Sequence, residues 1–166
     1  MVIGCISDTH LENRPLPQGV LDAFRGVDLI LHAGDILDMG VLGQLELIAE
    51  TVAVKGNMDR GETAATLPAR RIVEAGRFRI GLTHGHGSPS GITRRVARVF
   101  EGDNCDCIVF GHTHNALVKE REGTLFFNPG SPTDRMFARR NTVGLLEVTD
   151  TIEPRIVEVR GGRKGR

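Results

Sequence analysis

The chemistry-bearing residues of this chain fall in five short polar runs: Asp8-Thr9-His10, Gly34-Asp35, Gly56-Asn57-Met58-Asp59, His84-Gly85-His86 and Gly111-His112-Thr113-His114. Two His-X-His pairs account for four of the six histidines. Imidazole suits Zn, Mn, Fe, Co and Ni, whereas Mg and Ca prefer shells made of oxygen alone. Carboxylates and a neutral Asn carbonyl mixed with imidazoles therefore suggest transition-metal ligation. Each run has a plainer explanation when taken singly. Asp8 can cap a turn while His10 faces solvent, and Asp35 is an ordinary turn residue. Two His-X-His pairs at strand ends are much harder to explain that way.

Every run follows a short apolar segment that reads as a strand: residues 2–7, 27–32, 51–55, 78–83 and 107–110. Helical spacing recurs over 20–24, over about 39–50 and over 92–100, and 60–66 is a further short helix that Asp59 could cap. The first half thus has βαβαβ order. The second half reads as hairpins pairing 70–74 with 78–83, 117–121 with 124–127, and 143–148 with 152–159. The fold class is α/β. In open α/β sheets ligands bind beyond the carboxyl ends of strands, which is where Asp8, Asp35, Asn57, His84, His112 and His114 fall. Residues 1–160 read as a single domain, and 161–166 (GGRKGR) as a disordered basic tail.

Composition narrows the function classes. The 166 residues carry 21 basic and 21 acidic side chains, so the whole surface offers no electrostatic footprint for nucleic acid. Without Trp or Tyr, and with seven Phe, there is little material for a base-stacking platform of the single-strand-binding kind. No apolar run approaches the roughly 20 residues of a membrane span, and the N-terminus lacks a signal-peptide layout. A cytoplasmic protein is expected. Cys5, Cys105 and Cys107 read as reduced core thiols.

Taken together, DTH (8–10), GD (34–35), GNMD (56–59), HGH (84–86) and GHTH (111–114) resemble the calcineurin-like metallophosphoesterases, in order and spacing along most of the chain. The small size and the NPGS segment (128–131) are similar to the compact bacterial and archaeal phosphodiesterase branch. The resemblance implies a four-layer αββα sandwich of two mixed sheets flanked by helices, with the metal site at the C-terminal strand ends. It implies that Asp8, His10 and His114 hold one metal, that Asn57, His84 and His112 hold a second, and that Asp35 bridges them. Two divalent transition-metal ions are expected, manganese foremost, with Ni, Fe, Co or Zn as alternatives. Two metals about 3.5–4 Å apart can share a bridging hydroxide that attacks phosphorus.

Asp35, Asn57, Asp59 and His86 are the candidate catalytic residues, with Asp59 orienting a ligand or a water. His32 reads as a supporting or simply buried imidazole. Many larger relatives carry a histidine after the Asn of the GN turn, and here that position is Met58. His86 is the candidate replacement as general acid, against a solvent-facing imidazole. Without a strong acid, diesters or activated aryl esters are the favoured substrates. The NPGS turn reads as structural rather than phosphate-binding, and Arg135, Arg139 and Arg140 as a solvated basic face rather than a phosphate clamp. The expected partner is a small phosphoester substrate, with nucleic acid disfavoured, no membrane and a homo-oligomer open. Two alternatives remain: a catalytically inactive scaffold of the same fold, and a nuclease.

Overall fold

The computed structural model describes residues 1–159; the tail expected at 161–166 lies outside them. Ten strands and four helices follow in the order β1 (Val2–Ile6), α1 (Gln18–Ala23), β2 (Leu29–His32), α2 (Met39–Glu46), β3 (Glu50–Ala53), α3 (Gly61–Thr66), β4 (Arg70–Ala75), β5 (Phe78–Thr83), α4 (Ile92–Val99), β6 (Cys107–Val109), β7 (Leu117–Arg121), β8 (Thr124–Asn128), β9 (Thr142–Val148) and β10 (Ile152–Glu158). They form two five-stranded sheets, β10-β9-β1-β2-β3 and β4-β5-β6-β8-β7. Both are mixed. β1, β2 and β3 run parallel, β9 lies antiparallel beside β1, and β10 pairs antiparallel with β9 at the edge. β5, β6 and β8 run parallel, with β4 and β7 antiparallel at the two edges.

The alternation of side chains along a strand builds the layers. On β1, Ile3 and Cys5 point between the sheets, where they meet Ile80, Leu82, Cys107, Val109 and Phe127 of the second sheet. Ile6 points outward to Val20, Phe24, Leu42 and Leu45 of the α1 and α2 layer. On the far side Ile92, Val96 and Phe100 of the α4 region cover Ile108, Phe110 and Phe126. The result is the four-layer αββα sandwich. All three cysteines are free and buried.

Helix α2 stops at Glu46, earlier than the spacing suggested, because Glu50 already pairs with Leu29 as β3 begins. Its start is set by Asp38, whose Oδ1 accepts from Gly40 N at 2.8 Å. Helix α3 has no side-chain cap; Arg60 holds the N-cap position, and Asp59 is engaged elsewhere. Among the described residues no helix is long and apolar enough to cross a membrane.

Candidate metal centre

Three parallel strands of the first sheet and two of the second end near one place. Asp8 and His10 follow β1, Asp35 follows β2, and Asn57 follows β3. His84 follows β5, and His112 and His114 follow β6. The loops after β2 and β3 touch through glycine: a Cβ on Gly34, whose φ is +92°, would lie 2.7 Å from Gly56 N and 2.9 Å from His84 Nδ1. Only a bare backbone lets the two turns and the imidazole come this close.

The seven predicted ligands meet in two overlapping groups. Asp8, His10, Asp35 and His114 each offer one ligand atom within 4.8 Å of the others. His114 Nε2 lies 3.2 Å from Asp8 Oδ1 and 3.3 Å from His10 Nε2. On the other side, Asn57 Oδ1 lies 3.1 Å from His84 Nε2 and 3.0 Å from His112 Nδ1. Asp35 Oδ2 stands between the groups, 3.6 Å from His10 Nε2 and 3.4 Å from His84 Nε2. Its other oxygen accepts from Met58 N at 2.7 Å.

The hydrogen bonds aim these atoms inward. His84 Nδ1 donates to Ala33 O at 2.7 Å and His112 Nε2 donates to Gly87 O at 2.8 Å. A carbonyl can only accept, so each neutral ring presents an unprotonated nitrogen to Asn57 Oδ1. A cation between them would satisfy all three atoms. Asp8 makes the same point: it is fully buried, its Oδ2 accepts from His112 N at 3.0 Å, and its Oδ1 has no hydrogen-bond partner. A buried carboxylate oxygen is costly unless positive charge faces it, which a protonated His114, 3.2 Å away, or a metal ion in place of that proton would supply. The donor set therefore fits divalent metal ions.

The electrostatics run the same way. For Asp35, burial pushes the pKa up, but His84 and the Met58 N–H outweigh it and leave the carboxyl below its ordinary range. For His84, burial favours the neutral ring, yet Asp35 and Asp8 raise it overall. The Asp8 carboxylate, against a smaller opposing effect of burial and with help from Asp134, lifts His114 to about 9. Carboxylates that hold a proton on these nitrogens would equally favour a metal ion there.

Five of the seven candidate ligands adopt left-handed backbone: φ is 52° at Asp8, 43° at His10, 56° at Asp35, 70° at His112 and 57° at His114. Such conformations cost about 1–3 kcal/mol each in non-glycine residues and persist only where the surroundings enforce them. Asp59 is one enforcer. Its buried carboxylate accepts from Asp35 N (3.0 Å), Ile36 N (2.9 Å), Leu37 N (2.8 Å) and Gly56 N (2.7 Å), so it shapes both turns and is neither a helix cap nor exposed to a substrate. His32 is another, fully buried, with Nδ1 accepting from Gly34 N at 3.2 Å and Nε2 beside Thr9 Oγ1 at 3.2 Å.

The NPGS turn holds the loops together and does not face the centre. Asn128 Nδ2 donates to Gly111 O at 2.8 Å, and Ser131 Oγ, fully buried, donates to Asp8 O at 2.7 Å. Arg140 pairs with Glu158 at 3.3 Å. His86 is exposed and does not line the cavity above the centre. The sequence reading missed Asp134, whose Oδ2 accepts from His114 Nδ1 at 2.6 Å. Nothing in the run Pro132-Thr133-Asp134-Arg135 distinguishes it from a surface turn.

Residues 1–151 match the family model described as the calcineurin-like phosphoesterase superfamily domain. The chain belongs to that superfamily. It is 44% identical over 135 residues to a probable metallophosphoesterase of Methanothermobacter thermautotrophicus, covering 80% of this chain and 78% of the relative. A solved structure of an archaeal phosphodiesterase superposes with a TM-score of 0.76 at 26% identity, covering 95% of this chain and 99% of that one. The zinc complex of Vps29 from Entamoeba histolytica superposes with a TM-score of 0.75 at 27% identity, covering 96% and 100%. Family and donor set together support a metal-dependent phosphoesterase.

Proposed function

We propose that this chain is a dinuclear phosphodiesterase, with Asp8, His10 and His114 holding one divalent ion, Asn57, His84 and His112 the other, and Asp35 shared. The observation that carries this reading is the position of Asp35 Oδ2, within 3.6 Å of His10 Nε2 and 3.4 Å of His84 Nε2. Two bound ions would supply a water of lowered pKa and positive charge for the phosphoryl oxygens. With Asp8 and Asp35 ionised, the ligands carry less negative charge than two divalent ions carry positive, which favours an anionic substrate.

A cavity of about 560 Å³ opens over the centre. Besides the ligands it is lined by Met58, Pro89, Thr113, Asn115 and Phe137, none of which is an acid at neutral pH. With no protonated side chain to assist departure, ester groups that leave as stable anions are favoured. This supports activated diesters over alkyl monoesters. The likeness to the archaeal phosphodiesterase supports the same choice. Manganese is the first ion to test, and a cytoplasmic location, a small phosphoester as partner and the absence of a nucleic-acid or membrane role belong to the same proposal.

Elemental analysis combined with a phosphoester panel tests it. Two equivalents of divalent metal per chain and faster turnover of bis(4-nitrophenyl) phosphate than of glycerol phosphate are expected. A chain that takes up no transition metal and stays inert with added manganese would instead be a scaffold, the reading that the likeness to Vps29 keeps open. Salt-sensitive binding of a labelled oligonucleotide would point to a nuclease.

A further inference from the structure

One ring at the mouth of the centre is exposed without an evident structural reason. Phe137 is 70% exposed, although burying it would be favourable. It borders both the cavity over the centre and a second cavity of about 730 Å³ that also reaches His10 and His114. Its ring lies edge-to-face with that of His114, centroids 6.2 Å apart.

The exposure is not that of a loose loop side chain. Asp134, the carboxylate that orients His114, also accepts from Met136 N (2.8 Å), Phe137 N (3.1 Å) and Ala138 N (2.9 Å). Asn115 Nδ2 donates to Phe137 O at 3.2 Å. One carboxylate thus fixes both a candidate ligand and the backbone that presents the ring. With its backbone held before a ligand arrives, the residue has only its side-chain torsions left to order on binding. Met58 and Met136, 43% and 83% exposed, extend the apolar rim on the two sides.

We infer that Phe137 is a specificity-determining residue, the platform on which an aromatic ester group of the substrate stacks while its phosphate lies at the metal centre. The substrate class is then a phosphoester carrying a flat ring, aryl or nucleobase. This deepens the phosphoesterase reading and rests on it. An aromatic leaving group also suits a cavity that offers no general acid.

Phosphonates test the stacking without turnover, because their P–C bond is not hydrolysed. Calorimetry on the zinc-loaded full chain is expected to give about tenfold tighter binding of phenylphosphonate than of methylphosphonate. Phe137→Ala should bring the two affinities together, and Phe137→Trp should keep them apart. The chain has no Trp and no Tyr, so emission of the Phe137→Trp variant reports that position alone. It should change on adding phenylphosphonate and not on adding methylphosphonate. A preference that survives in Phe137→Ala, or its absence in the wild type, overturns the inference while leaving the phosphoesterase reading intact. Failure of both phosphonates to bind, with bis(4-nitrophenyl) phosphate left uncleaved whatever the metal, overturns the two together.

Discussion

The two sheets bring different chemistry to their shared edge. The first supplies Asp8, Asp35 and Asn57, three oxygen donors, with His10 as its one imidazole. The second supplies His84, His112 and His114 and no oxygen. Each cluster needs atoms from both sheets: His114 meets Asp8, and His84 meets Asn57 and Asp35. Both carboxylates thus come from one sheet, and the imidazoles of the other face them across the shared edge, where attraction offsets the repulsion between Asp8 and Asp35. Ligation and sheet packing are coupled as a consequence.

The largest way to break this arrangement is to neutralise the shared oxygen on the first sheet. Asp35→Asn is expected to cut turnover by about a thousandfold, the upper range for removing one electrostatic stabiliser. Metal content should fall below that of the wild type, from the two equivalents per chain proposed above, read by elemental analysis. Full activity in that variant would sink the shared-ligand mechanism.

A second test acts on the support beneath the first sheet's turns. Burial, working against the nearby Asp59, Asp8 and Asp35 carboxylates, holds His32 down to about 4 from 6.5. The folded state prefers the neutral ring, whereas the unfolded chain takes up a proton below 6.5. The contribution is therefore present above pH 6.5 and is lost as pH falls toward 4, reaching about 3 kcal/mol. Denaturant titrations of metal-free protein should show this slope, and His32→Gln should lack that share of it. Identical slopes for the two proteins would remove His32 as its source.

On the second sheet the far nitrogens of His84 and His112 are anchored by backbone carbonyls, and that of His114 by a side chain that can be altered. Asp134→Asn should weaken metal affinity about 10- to 100-fold, as losing a carboxylate behind a ligating imidazole does. One of two equivalents should weaken in a competition titration; uniform weakening of both would erase the difference between the clusters.

The mildest probe is pH. In the metal-free chain His114 titrates at about 9, so below that value an incoming ion must displace its proton. Affinity for one metal should rise about tenfold per pH unit between 7 and 9 and flatten above, with Asp134→Asn moving the break downward. A flat profile would mean that His114 gives up no proton to the metal.

Much of this was legible before any coordinates. Strands ending in DTH, GD, GN, HGH and GHTH already placed seven candidate ligands at strand ends, because short apolar runs and glycine turns leave local marks. The hairpins were equally readable, since 75–77, 122–123 and 149–151 each separate apolar runs with turn residues. The extent of α2 was misjudged because a pairing with β2 ended it, and no local signal carries that. Asp134 was invisible for a related reason: its partner His114 is 20 residues away, and their hydrogen bond exists only once β8 and the turn after it are folded.

By itself, then, the sequence determined which atoms could hold metal and which strands would carry them. These are local properties of residue type and spacing. Tertiary structure decided that the atoms form two clusters sharing Asp35, that Asp59, His32 and Ser131 stand behind them, and that His86 stays outside while Phe137 stands at the mouth. The left-handed φ of five candidate ligands shows why. Isolated turns would relax out of that conformation, and only hydrogen bonds spanning 20 to more than 120 residues of chain keep the donors aimed at one point.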